Sequence, residues 1–201
     1  MITRIVVGPK QGILDVLGEG RKREIENFLG IPVDRIQSRR VYALDICLTS
    51  KELETIEKEL FVDPVTQRAF ADGEGDFDWL IEVGYRPGVT DNVGRTARVA
   101  IGDVLGRKLR DDERVYTSTQ YLIKGEVPRE DAWRIGRELL ANELIESLTI
   151  LSFEEVKVDG VHIPPPIVLG ETRIHVTEYD LQVSDEELLK ISREGVLALN
   201  L

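Results

Sequence analysis

Apolar residues recur along this chain in two rhythms, one of period two and one of period three to four, and together they predict alternating strands and helices. Phe77, Trp79, Ile81, Val83 and Tyr85 alternate with less apolar neighbours, the pattern of a half-buried strand. Thr3, Ile5 and Val7 predict a matching strand near the start of the chain. After residue 90, Val93, Ala97, Ala100, Ile101, Val104 and Leu105 share one face of a helix, with Asp91 as its N-cap and Gly106 as its stop. Residues 41–48 and 115–123 are rich in β-branched and aromatic side chains and predict strands. Thr49 and Glu52 have capping-box spacing, opening a helix that buries Leu53, Ile56 and Leu60. A counterpart over residues 128–140 uses Ala132, Ile135 and Leu139. Short strands over residues 65–71 and 148–151 follow these two helices.

The two series of elements are copies of each other. A shift of 76 lays residues 1–34 over residues 77–110 without a gap. Nine positions are then identical: Ile5/Ile81, Val7/Val83, Gly8/Gly84, Gly12/Gly88, Asp15/Asp91, Gly18/Gly94, Ile25/Ile101, Leu29/Leu105 and Gly30/Gly106. Several of the repeated glycines fall where a turn and a helix end need them. Farther on, Arg40-Val41-Tyr42 meets Arg114-Val115-Tyr116 and Glu59-Leu60 meets Glu138-Leu139, which implies about five extra residues in the second copy between those points. Each copy reads as strand, helix, strand, strand, helix, strand. The expected fold is therefore α+β, two tandem units of ferredoxin-like order (β-α-β-β-α-β) over residues 1–75 and 76–152.

Beyond residue 152 the pattern changes. Asp159-Gly160 predicts a hairpin turn within residues 156–163, and Pro164-Pro165-Pro166 predicts an extended spacer. Residues 173–181 read as a strand, and Ser184 with Glu187 opens a short helix that ends at Gly195. The apolar run over residues 196–201 suggests docking onto a partner, or a chain cut before a further domain.

Composition narrows the function classes. The chain has 201 residues and a net charge of -11, so a nucleic-acid backbone is not the expected partner. Residues 151–201 hold 4 basic against 10 acidic residues, more than half of that excess. No segment approaches the length of a membrane span and the first residues lack the apolar run of a signal peptide, so the expected location is cytoplasmic. One cysteine, Cys47, and two histidines, His162 and His175, do not make a zinc cluster. Cys47 reads as a buried strand residue and His175 as a strand-face residue. Phosphate-binding loops and nucleophile elbows are missing, and Glu52, Glu54, Glu57 and Glu59 read as the solvated face of a helix. No catalytic, cofactor or metal residue is assigned to this chain.

One stretch invites a functional reading. In residues 85–96 a turn leads into a helix N-terminus, where free N–H groups, Arg86 and Arg95 could hold an anion; Gly88 allows the turn, and Asp91 and Gly94 open the helix. The polar strand over residues 116–121 offers Tyr116 and Tyr121 as interface candidates.

Several of these residues carry a family resemblance. Lys10-Gln11-Gly12-Ile13-Leu14-Asp15-Val16-Leu17-Gly18 resembles the LK-x-G-V-x-D-P-x-G segment of PurS, the small component of phosphoribosylformylglycinamidine synthase. Residues 139–146 resemble its LLANPVIE segment. Asp63-Pro64-Val65-Thr66 is the equivalent stretch of the first copy. Residues 86–97 are similar to the start of some synthases in which PurS-like units are fused to the catalytic chain, and residues 184–200 resemble the linker that follows there. The resemblance implies two PurS-like units over residues 1–152 that form a dimer within one chain, with residues 153–201 as an extension and linker. It implies membership of a purine-synthesis ligase that consumes ATP, with magnesium, and glutamine at sites on other chains or domains, of PurL (synthetase) and PurQ (glutaminase) type. This chain would then bridge them during ammonia transfer, with self-association possible. The alternative expectation is a regulatory module that binds a small anionic effector.

Overall fold

The computed structural model describes residues 2–168, 178–195 and 197, and the chain divides into two compact units, residues 1–168 and 169–201. In the first unit, β1 (Thr3–Pro9), α1 (Val16–Glu24), β2 (Arg35–Asp45), α2 (Ser50–Ile56) and β3 (Gln67–Phe70) make the first copy. The second copy consists of β4 (Trp79–Tyr85), α3 (Asn92–Leu105), β5 (Arg114–Lys124), α4 (Arg129–Ile135) and β6 (Glu146–Ser152), and α5 (Phe153–Asp159) follows. Helices α1, α2 and α4 each run on into one π-helical turn, residues 25–29, 57–61 and 136–140.

Each copy thus has three strands, where the sequence pattern predicted four. The middle strand of each is a single run of 11 residues, because β2 and β5 pair with each other along their whole length, from Arg35↔Lys124 to Asp45↔Arg114. That pairing supplies hydrogen bonds to Arg35, Gln37, Arg39 and Arg40, whose polar side chains had hidden the first half of β2. All pairings are antiparallel and the six strands form one sheet in the order β3-β1-β2-β5-β4-β6.

The strand order is symmetric about the β2–β5 pair. The structure also re-aligns the copies there: Asp15 binds Ser38 as Asp91 binds Thr117, so β2 matches β5 with a shift of 79. Tyr42 therefore corresponds to Tyr121, and not to Tyr116. The extra residues number three and lie before the strand, between Gly30 or Gly106 and its first residue. With this shift Arg40 pairs with its own equivalent, Thr119, so a pseudo-two-fold axis passes between them.

The two copies also share their cores. One cluster joins Ile25, Ile31, Val33 and Ile36 of the first copy to Ile81, Val83, Ile123, Ala132 and Ile135 of the second. The other joins Ile5, Val7, Leu44 and Ile56 of the first copy to Ala97, Ile101 and Val115 of the second. Each first helix therefore packs over the partner copy, and neither copy closes a core of its own on this face.

The opposite face of the sheet is covered in part by residues 71–78 and by α5, through Phe77, Leu80, Leu122 and Val156. Strand β4 is consequently buried on both faces, at Ile81 and Val83 and also at Leu80 and Glu82. The expected hairpin at Asp159-Gly160 is instead the end of α5. Ser152 and Glu155 form a reciprocal capping box at the start of α5, and Gly160 closes the helix.

In the second unit α6 (Asp185–Glu194) starts at Ser184, which accepts from the Glu187 amide, and stops at Gly195, as its capping signals predicted. Part of the strand expected over residues 173–181, including His175, lies outside the described residues, and residues 178–181 have no regular structure.

Candidate functional site

The turn before α3 is fixed by its own side chains. The Asp91 carboxylate accepts from the Gly94 amide at 2.7 Å, from the Thr117 amide at 2.6 Å and from the Thr117 hydroxyl at 3.0 Å. It caps the helix and ties it to β5 at the same time. Gly94 makes this possible, since a Cβ there would come within 2.4 Å of the Val115 carbonyl oxygen. Asp15 and Gly18 repeat the arrangement in the first copy, where a Cβ on Gly18 would meet the Ile36 carbonyl oxygen at 2.4 Å. Asp91 thus occupies the N-terminal position that an anion would seek.

The neighbouring candidates separate. Arg86 donates from its backbone to the Ile145 carbonyl, just before β6, and from Nε to the Glu146 carbonyl at its start, and Gly88 has φ of 88° in the turn. Arg95 makes no hydrogen bond or ion pair to a described residue. It faces an open groove shared with Arg98 and Arg114. Those two arginines donate mainly to backbone carbonyls of residues 109–113, the lengthened loop.

Tyr116 and Tyr121 point to opposite faces of the sheet. Tyr121 is buried in the helix-side core. Tyr116 is half-buried on the other face, where burial and the nearby Asp45 charge push its phenol above the usual range.

That second face holds a buried polar cluster, and none of its charged members was singled out by sequence pattern. Arg4 on β1 reaches past two strands to Glu82 on β4, with Nη2 to Oε2 at 2.6 Å and Nη1 to Oε1 at 3.2 Å. Its Nε donates to Asp72 at 2.5 Å. Ser118 and Gln120 donate to Glu82 at 2.6 and 2.9 Å, and Gln120 also donates to Asp72 at 2.8 Å. Glu82 and Gln120 are buried, and Gln120 Oε1 has no hydrogen-bond partner among the described residues. Burial pulls the Arg4 guanidinium down, but Glu82 and Asp72 more than offset it and the net shift is upward. Arg39, buried beside this cluster and stacked on Phe70, is instead lowered to about 10 by desolvation. The one sequence clue was an acid, Glu82, inside the apolar run of β4.

Above the cluster lies a cavity of about 260 Å³, lined by Arg4, Glu82, Tyr85, Tyr116, Ser118 and Thr149 and walled by Pro164-Pro165-Pro166. The proline segment, expected as a spacer, thus lies against the sheet.

A second buried acid, Glu113, accepts from the Arg110 amide at 2.7 Å and the Cys47 amide at 3.3 Å, anchoring the lengthened loop of the second copy to the first. Burial raises its pKa, but these bonds and the charges of Arg110 and Arg107 hold it below the usual range. Cys47 is exposed, contrary to the expected core position, because β2 ends at Asp45 and the chain bends away. His162 is exposed as well.

No group of His, Cys, Asp and Glu among the described residues is arranged to hold a metal ion, and no described helix is long and apolar enough to cross a membrane. No protein-family model matches the chain, and no curated protein matches it.

Proposed function

We propose that this chain is a non-catalytic assembly component of phosphoribosylformylglycinamidine synthase, which joins a glutaminase to an ATP-dependent synthetase and supports ammonia transfer between them. The observation that carries the reading is the duplicated PurS-like motif set in a chain whose two copies pair through β2 and β5 and interleave their helices. A clamp between two catalytic chains gains from such a frame, because its two copies hold fixed positions without a dimerisation equilibrium. The test is amidine formation by the synthetase and glutaminase with and without this chain, with glutamine or ammonium as nitrogen source. Dependence on the chain with glutamine but not with ammonium is the expected result. Equal rates in all four reactions overturn the proposal.

A second reading, a module that binds a small anionic effector, is favoured by one observation, Arg95, without a partner among the described residues, in a groove beside Arg98 and Arg114. Calorimetric titration with purine nucleotides, repeated on Arg95→Ala, tests it. Saturable binding lost in the variant supports the reading, and a flat titration ends it.

A further inference from the structure

The cavity on the second sheet face differs in kind from the arginine groove, because its charges are already spent. Arg4 engages Asp72 through Nε and Glu82 through both Nη atoms. The two oxygens of Glu82 take four bonds, from Arg4, Ser118 and Gln120. Among the described residues, an anion entering here meets no unpaired cation, and a cation meets no free oxygen of Glu82.

What remains open is neutral hydrogen-bonding capacity. Ser118 gives its proton to Glu82 and Ser147 gives its proton to the Gly84 carbonyl, so each presents lone pairs only. The Thr149 and Tyr116 hydroxyls have no hydrogen-bond partner among the described residues and can donate or accept. The Tyr116 phenol, whose ordinary titration lies well above neutral pH, keeps its proton and can donate. The walls are the Tyr116 ring and the rigid run Pro164-Pro165-Pro166, with residues 84–87 at the end of β4 along one side. At about 30 Å³ for each water in the liquid, 260 Å³ corresponds to about nine non-hydrogen atoms.

We propose that this cavity is a binding site for a small, planar, uncharged ligand, a heteroaromatic ring or aromatic amide. One face packs on the Tyr116 ring and the other on the prolines, and its polar edge meets Ser118, Thr149 and the Tyr116 hydroxyl. A purely apolar ring is disfavoured because it leaves these hydroxyls unpaired. The site is independent of the synthase reading and lies on the sheet face opposite α1–α4.

The test uses four probes of one shape and size: nicotinamide and benzamide as neutral ligands, benzoate as the anion and benzamidine as the cation. Each is titrated into the full chain and followed by amide proton–nitrogen correlation spectra. The expected result is saturable shifts of Tyr116, Thr117, Ser118 and Thr149 with the neutral pair, at micromolar to millimolar affinity, and binding of the charged pair at least about tenfold weaker. Thr149→Val and Tyr116→Phe, each with an otherwise unchanged spectrum, each weaken nicotinamide by about fivefold, the loss of one hydrogen bond. Absence of saturable shifts at these residues, equal binding of charged and neutral probes, or unchanged affinity in both variants overturns the proposal.

Discussion

Removing Glu82 tests the buried cluster that links the two copies. In Glu82→Ala, four hydrogen bonds vanish and Arg4, with only 14% of its side chain exposed, loses one of its two carboxylate partners. Breaking a buried ion pair from one side costs 3–5 kcal/mol in general. Asp72 still holds Arg4 Nε at 2.5 Å, which places the expected loss near the lower end, about 3 kcal/mol. Arg4→Met leaves Glu82 buried without its cation and is expected to cost a similar amount. The double variant Arg4→Met/Glu82→Leu leaves neither charge unpaired, so it is expected to fall short of the sum of the single losses by about 2 kcal/mol. Urea unfolding is the assay, with fluorescence of Trp79 and Trp133, the two tryptophans of the chain, as the signal. A loss below about 1 kcal/mol in Glu82→Ala, or strict additivity in the double variant, refutes the cluster as described.

Three further outcomes are expected. Gly94→Ala drives a Cβ onto the Val115 carbonyl oxygen and is expected to cost several kcal/mol. Gly20→Ala, in a helix with no atom within 4 Å of the new Cβ, gains about 0.5–1 kcal/mol; thermal unfolding of both variants decides this, and equal effects refute it. Residues 1–75 and 76–168 expressed apart are expected to lack stable monomeric folds and to recover helical signal when mixed, because both helix-side core clusters draw on both copies; a folded monomer of either half by light scattering and circular dichroism contradicts the shared core. The pKa of Glu113 is depressed in the fold, so its ionised form contributes stability that is present above the unfolded carboxyl range, near pH 4.5, and lost as pH falls through the lower folded value. Glu113→Gln is expected to flatten that part of the stability profile, and an unchanged acid limb counts against the anchor.

The sequence carried the local instructions. Repeated glycines and aspartates, the box at Thr49 and Glu52, and the apolar face of α3 define helix starts, stops and buried stripes through interactions within a few residues, and those elements form where the pattern predicts. The duplication was legible for the same reason, since Asp15/Asp91 and Gly18/Gly94 meet one steric requirement twice. Errors arose where a residue's state depends on a distant strand. The polar start of β2 is a strand because β5 lies beside it, and the extra residues of the second copy were misplaced because Arg114-Val115-Tyr116 is the better local match to Arg40-Val41-Tyr42, while only the strand pairing makes Tyr121 the equivalent of Tyr42. Ser152 and Glu155 offered a capping box in plain view, yet Asp159-Gly160 has equal local claim as a hairpin turn, and the burial of Val156 against Phe77 favours the helix. Apolar periodicity states that a helix face must be covered, and is silent on which copy covers it. The exchange of helices across the pseudo-two-fold axis, the meeting of Arg4 with Glu82 some 78 residues away and the cavity above them were therefore decided by the tertiary structure alone, because only the closed sheet brings those residues within reach of one another.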